Sequence, residues 1–284
     1  MTDQAKTLRV LRGGGGAQVS TTRRAFAVSG GKGGVGKSTL ALNLALAYAQ
    51  QGSRTLLVDT DLGMADLNLL LGVAPDKSIL DALGGADIED VLVSAHGIDL
   101  LPALNGSYLL STIGPAAQQR ILQLVQSLTD RYETLVVDIA AGIGQTQTMF
   151  AGATTTAIVV VNPEPLSLAD AYATIKVLSV EQGVRHAYVV PNRVTSRAQA
   201  AEVVHRLEAL VTRFLDVTIT ALPAVPADPA VAEASQIGVP LMVHTPDAPA
   251  ARAIRQLTRT LSSLVTPSQN TWWREASRAQ GDSR

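Results

Sequence analysis

Short apolar runs, several closed by a polar or acidic residue, alternate along this chain with longer stretches whose apolar residues fit a helix. The runs are Ala25-Phe26-Ala27-Val28-Ser29, Arg54-Thr55-Leu56-Leu57-Val58, Ile98-Asp99-Leu100-Leu101, Thr134-Leu135-Val136-Val137, residues 157–161 and Tyr188-Val189-Val190. Continuous apolar runs of this length, bounded by turn residues, read as strands buried on both faces, as in a parallel sheet. Between them, Leu40, Leu42, Leu44, Leu46 and Tyr48 mark one helix, and Ile121, Leu122, Leu124, Val125 and Leu128 another. A short helix is expected after Ser78, and a longer one after Pro165 with Ser167 as its cap. Over residues 198–215, Val203, Val204, Leu207, Leu210, Val211 and Leu215 are expected to face the core. In a last helix over 249–265, Ile254, Leu257, Leu261 and Leu264 share a face expected to pack on the domain. Strands alternating with helices predict an α/β fold: a doubly wound, mostly parallel sheet with helices on both sides.

The first run leads into residues 30–39, GGKGGVGKST, which hold the pattern G-x-x-x-x-G-K-[ST] from Gly31 through Gly36, Lys37 and Ser38, with Thr39 next. A strand before it and a helix after it are the context that a phosphate-binding loop requires. Gly33, Gly34 and Gly36, around Val35, let backbone N–H groups close on phosphate oxygens without a Cβ in the way. The helix that starts near Lys37 points its positive end at the same anion. Lys37 is expected to reach the β- and γ-phosphates, and the Ser38 hydroxyl to sit on Mg²⁺. Lys32 is a second lysine that such a loop does not need.

Two strands end in acids, one in Asp59-Thr60-Asp61 and the other in Asp138. Carboxylates at the C-terminal ends of parallel strands lie where a ligand crevice opens. Asp138 suits Mg²⁺, directly or through water. Of Asp59 and Asp61, one suits metal-bound water or a loop while the other orients an attacking water. Gly142 lets the backbone approach a γ-phosphate and move when that phosphate leaves. Asn192 offers a donor and an acceptor to an adenine edge, while Arg193 can stack on the base or face solvent.

These motifs resemble those of the MinD/ParA superfamily of P-loop ATPases. KGGVGKS is similar to its "deviant" Walker A motif. The resemblance implies ATP and Mg²⁺ as ligands, slow hydrolysis, and an ATP-dependent homodimer in which Lys32 reaches the partner subunit's nucleotide. Residues 59–72, DTDLGMADLNLLLG, resemble switch I, with Asp61 positioning the hydrolytic water and Asp59 supporting it at the metal. Relatives usually carry Asn where Asp66 stands and an acid near Asn68, so the two are exchanged here. Residues 138–144, DIAAGIG, are similar to switch II, in which Gly142 moves. By the same resemblance Asn192 and Arg193 carry over to the adenine site. Pro226 and Asp228 carry over to the loop that walls it, mainly through backbone contacts. The wording of residues 163–172, PEPLSLADAY, is closest to the FlhG group (also called FleN or YlxH), which controls flagellar number. Glu164 within it either contacts the nucleotide or the partner subunit, or is merely solvated.

Residues 1–23 stand apart: Lys6, Arg9, Arg12 and Arg23 face Asp3 alone, and Gly13 to Gly16 form a hinge. Thr2 can cap a short helix with Ala5, Leu8 and Leu11 near one face. Asp3-Gln4-Ala5-Lys6-Thr7-Leu8-Arg9 is similar to the DQAxxLR motif of the FlhG group. That implies that Asp3, Gln4, Ala5, Leu8 and Arg9 bind and stimulate an FlhF-type GTPase of the signal-recognition-particle class. A flagellar transcription activator or a C-ring component is a further partner that the resemblance brings. The ATPase domain is expected over 24–266 and a tail over 267–284. The resemblance runs to about Pro240.

Composition narrows the rest. At 46% hydrophobic content, 284 residues can bury one sizeable core. A net charge of −1 supplies no field for nucleic acid, so none is expected as a partner. The absence of cysteine removes disulfides, thiolate zinc sites and iron–sulfur ligation. With no run long enough to span a bilayer and no signal peptide, the expected location is cytoplasmic. Trp272 and Trp273 in the tail suit a lipid interface, yet two tryptophans with little net charge make a weak anchor. Peripheral contact with the inner face of the membrane and a solvated tail therefore both stand. A division-site or partitioning ATPase would share the engine without the N-terminal motif, a metabolic kinase or ligase would need an acceptor pocket, and a non-hydrolysing module would not need Asp61 and Asp138.

Overall fold

The computed structural model describes residues 24–61, 66–103, 114–142 and 144–264. The N-terminal motif, the tryptophan tail and part of switch I lie outside the described residues. In chain order the elements are β1 (Arg24–Ser29), α1 (Lys37–Ala49), β2 (Thr55–Asp59), α2 (Leu67–Leu71), α3 (Ile79–Leu83), α4 (Ile88–Val91), β3 (Val93–Ala95) and β4 (Ile98–Leu101). They continue with α5 (Pro115–Leu128), β5 (Thr134–Asp138), α6 (Gln145–Ala153), β6 (Thr156–Val161), α7 (Pro165–Gln182), β7 (His186–Val194) and α8 (Arg197–Phe214). The last are β8 (Thr218–Ala221), β9 (Val225–Pro226), α9 (Pro229–Gln236), α10 (Leu241–His244) and α11 (Pro249–Leu264).

The strands form one sheet in the order β3-β4-β2-β5-β1-β6-β7-β8, with β9 added to β7. Every pairing is parallel except β3 with β4, as the fully apolar runs require. Alternate residues of β1 serve opposite cores: Phe26 and Val28 join the α1 and α11 side, whereas Ala25 and Ala27 join the side of α5 and α6. A third cluster joins β6 and β7 to Ile175 of α7 and to Val203, Leu207 and Val211 of α8. No helix among the described residues is long and apolar enough to cross a membrane.

Three expectations change. The every-second leucines of α1 do not mark one face, because residues 40–48 are all buried between the sheet and α11. The core stripe of α8 is Val203, Leu207 and Val211 alone, spaced by four. Leu210 is 39% exposed, Val204 is half-buried, and Leu215 lies past the helix end, packed only partly. Ser167 does not cap α7. Glu164 occupies the cap position with Pro165 behind it, and the Ser167 hydroxyl accepts from the Asn162 N–H at 2.9 Å instead. The packed face expected for α11 is present in Ile254, Leu257 and Leu261, and it ends before Leu264, which is 45% exposed.

Candidate functional site

At the C-terminal end of β1 the chain turns through residues 30–36 into α1. Gly36 stands at the helix entrance with φ +95° and Gly34 with φ +80°, backbone that a residue bearing a Cβ adopts only under strain. Gly31 serves a different purpose. A Cβ there would lie 2.5 Å from the Asp170 carbonyl oxygen and 2.7 Å from the Asp170 Cβ, so the loop sits directly on α7. Val35 is buried beneath the loop, and its carbonyl accepts from the Asn192 side-chain amide at 2.8 Å.

Lys37 is buried, and its ammonium donates to the Lys32 carbonyl at 3.2 Å, curling back along the loop. Burial lowers its pKa, while the charges of Asp138 and Asp61 partly restore it. Lys32 projects from the rim, half exposed, with its ammonium 3.5 Å from the Glu164 carboxylate. Thus Lys37 lies under the loop and Lys32 outside it.

Asp59 and Asp138 are register partners at the ends of β2 and β5, and both are buried. The Asp138 carboxylate is hydrogen-bonded by Ser38 and feels Lys37, yet burial dominates and carries its pKa up to about 7. Its Oδ1 is buried and has no hydrogen-bond partner. Asp59 is raised well above the usual carboxylate range, first by burial and then by the charge of Asp138, against the Asp61 N–H that its Oδ1 accepts at 2.9 Å. Asp66 stands at the entrance of α2 without capping it, and its charge is felt at both Asp59 and Asp138. Thr60 ties the two strand ends together. Its hydroxyl and N–H both donate to the Asp138 carbonyl, at 2.7 and 3.2 Å.

An orphaned buried carboxylate oxygen beside a serine hydroxyl fits a hard divalent cation such as Mg²⁺, which takes few protein oxygens and keeps several waters. Gly142, four residues after Asp138, has φ +110°.

The expected base-site residues are placed less simply. Asn192 lies in β7, two residues before its end and beneath the loop, with its amide nitrogen already engaged. Arg193 is exposed in a left-handed conformation, at φ +57°, within the bulge where β9 joins β7. Asp228 is engaged through its side chain as well as its backbone, whose carbonyl accepts from the Val231 N–H at 3.1 Å. One carboxylate oxygen accepts from the Ala230 N–H at 3.0 Å, capping α9, and the other from the Ala250 N–H at 2.9 Å in the first turn of α11. Pro226 is half-buried in β9. The sequence reading missed Asn162, Thr60 and this double cap. An Asn-Pro pair closing an apolar run was the available signal for Asn162. Thr60, flanked by acids, carried no pattern of its own.

Comparison with known proteins places the chain among relatives of the same loop. The family model described as ParA, NUBPL iron-transfer P-loop NTPase, matches residues 21–262. The antiactivator FleN of Pseudomonas aeruginosa is 34% identical over 244 residues, covering 85% of this chain and 87% of that protein. The flagellum site-determining protein YlxH of Helicobacter pylori is 35% identical over 156 residues, 54% of this chain and 53% of that one. Among solved structures, the cell division ATPase MinD of Pyrococcus furiosus superposes with a TM-score of 0.72 at 26% identity, over 85% of this chain and 99% of that chain. The septum site-determining protein MinD of Pyrococcus horikoshii, complexed with Mg-ADP, gives 0.69 at 27% identity, over 85% and 97%.

Proposed function

The chain belongs to the ParA/MinD family of P-loop NTPases, and on that premise we propose that it is an FlhG-type regulatory ATPase whose nucleotide state sets whether it is a monomer or a dimer. ATP with Mg²⁺ is its substrate complex, as the Mg-ADP bound to a MinD relative supports. One observation carries the reading. Lys37, Ser38 and the orphaned Asp138 oxygen meet under a glycine-rich loop, while a second lysine, Lys32, stands on its exposed rim.

Ser38 and Asp138 would hold the metal, with Asp59 behind them, and Mg²⁺ would there supply positive charge against the phosphates. Backbone N–H groups of residues 33–37 and the Lys37 ammonium hold the phosphates. Asp61 orients the water that attacks the γ-phosphorus as the bond to the bridging oxygen breaks. Lys32 leaves Glu164 and approaches the partner subunit's triphosphate. That contact is favourable because two triphosphates facing each other need extra cations between them. Glu164, at the α7 entrance beside Lys32, lies on the same rim. Asn192 and Arg193 border the base, and the loop of Pro226 and Asp228 walls it.

Flagellar placement is supported by the FleN and YlxH relatives and by the DQAxxLR wording of residues 3–9. Through that segment the protein stimulates an FlhF-type GTPase. The test is molar mass by light scattering with MgATP, MgADP and an uncleavable ATP analogue, alongside capture of an FlhF-type GTPase. The expected result is a dimer with the analogue, lost in Lys32→Ala while nucleotide binding persists. Capture should fail when residues 1–12 are removed. Monomers under every nucleotide would overturn the switch, no capture by the full chain would favour a division-site or partitioning role, and capture that survives removal of residues 1–12 would overturn the assignment of the contact to that segment.

A further inference from the structure

We infer that Asn192 and Asn162 are positioning residues that lock the Val35–Gly36 peptide of the phosphate loop, so that Asn192 acts on the phosphates through the backbone. The inference rests on the proposed nucleotide site and adds to it. Val161 of β6 and Pro191 of β7 are the last register partners of that pair of strands, so the next residues, Asn162 and Asn192, stand side by side just beyond the paired stretch. Both are buried. Asn192 Nδ2 donates to the Val35 carbonyl at 2.8 Å. In the amide orientation that pairs donors with acceptors, the Asn162 side-chain nitrogen lies 3.2 Å from the same carbonyl and 3.3 Å from the Asn192 backbone carbonyl. Asn162 is itself held by its N–H bond to Ser167 Oγ.

The consequence follows from peptide geometry. A trans peptide carries its C=O and N–H on opposite edges of one plane. With the Val35 oxygen drawn toward the strand ends by two amides, the Gly36 N–H faces the other way, to the open side of the loop. That donor is one a bound phosphate needs. Rotating the plane changes ψ at Val35 and φ at Gly36, and glycine tolerates either sign of φ, so the Gly36 side of the peptide offers no resistance. A rotated plane would aim a carbonyl oxygen at the phosphates and set the Gly36 N–H against two amide nitrogens. The two asparagines therefore select the anion-binding rotamer of a loop free to adopt the other. The same closeness explains why position 36 admits no side chain: a Cβ there would lie 2.4 Å from Asn192 Nδ2.

The test separates a brace from a base contact by using a ligand without a base. Affinities for MgATP and for inorganic tripolyphosphate with Mg²⁺ are measured by calorimetry on the full chain, its Asn192→Ala variant and its Asn162→Ala variant. Loss of one buried hydrogen bond of ordinary strength corresponds to about tenfold; tripolyphosphate should weaken by that factor in both variants, and ATP by at least as much. Asn162→Ala carries the test if Asn192→Ala does not fold. Weakened ATP with unchanged tripolyphosphate would assign Asn192 to the base alone and overturn the inference, as would unchanged affinity for both. The Gly36 amide resonance of ligand-free protein gives a second readout: it should broaden or shift in each variant, and an unperturbed resonance would refute the lock. Should the parent chain bind neither ligand, the nucleotide site fails while the resonance still judges the brace.

Discussion

Replacing Asp228 with alanine removes two helix caps at once, and the two losses differ in kind. At α9 the Ala230 N–H, 3.0 Å from the carboxylate, opens toward a half-buried surface where water can take over. Loss of an N-cap of this sort costs about 1 kcal/mol. At α11 the Ala250 N–H, 2.9 Å from the other oxygen, belongs to a residue with no exposed surface, so water cannot replace the acceptor. Leaving a buried donor unsatisfied costs about 1–3 kcal/mol. Together the expected destabilisation is about 3 kcal/mol, and at about 3 °C per kcal/mol for a domain of this size the midpoint should fall by about 9 °C. Asp228→Asn keeps one acceptor and should lose about half as much. Thermal unfolding followed by circular dichroism measures both, with ATP affinity determined on the same samples. A midpoint for Asp228→Ala within about 2 °C of the parent, accompanied by weaker ATP binding, would show that the residue serves the base pocket and would refute the capping argument.

Gly31→Ala forces a Cβ against the Asp170 backbone, which cannot yield as a side-chain tip can. ATP affinity by calorimetry should drop more than about tenfold as the loop shifts, and unchanged affinity would mean that the loop does not rest on α7. The pH dependence follows from Asp138, raised to about 7 chiefly by burial, and from Asp59, raised by burial and by Asp138. Both bind protons more readily folded than unfolded. Their stabilising contribution to nucleotide-free, metal-free protein is therefore complete below about pH 4 and is lost as pH rises through about 7. The urea midpoint should fall between about pH 5 and about pH 8, and Asp138→Asn should flatten that fall; a midpoint that climbs over this window contradicts the burial of the pair. Asp61→Ala should bind ATP and assemble but release no phosphate, leaving a dimer that persists in light scattering, and rapid decay to monomers would remove Asp61 from the water's path.

Much of the fold was legible because its strands announce themselves. Residues 56–58 and 135–137 are apolar without a break, a pattern that only a strand covered on both faces sustains, and β2 and β5 prove to be interior. The edge was harder to read. β8 is a four-residue strand, Thr-Ile-Thr-Ala, too short and too mixed to rise above its flanks, and β9 is two residues that pair with β7 where its register shifts. Helix faces were misjudged where a local pattern stood in for tertiary surroundings. The stripe on α8 looked wider than three residues because Val204 and Leu210 on its flank and Leu215 past its end are apolar too.

The candidate site divides along the same line. Groups that would touch phosphate or metal sit in contiguous motifs, because a loop between a strand and a helix must present several donors within a few residues. Groups that hold those motifs in shape come from far away in the chain. Asn192 grips Val35 across 157 positions, Thr60 grips Asp138 across 78, and Asp228 reaches Ala250 across 22. A single asparagine at a strand end has no spacing partner to betray it, since its partner is a backbone carbonyl that every residue possesses. The physical reason is rigidity. A glycine-rich loop free enough to wrap an anion is also free to turn its peptides the wrong way, so its selectivity has to be imposed by the sheet beneath it.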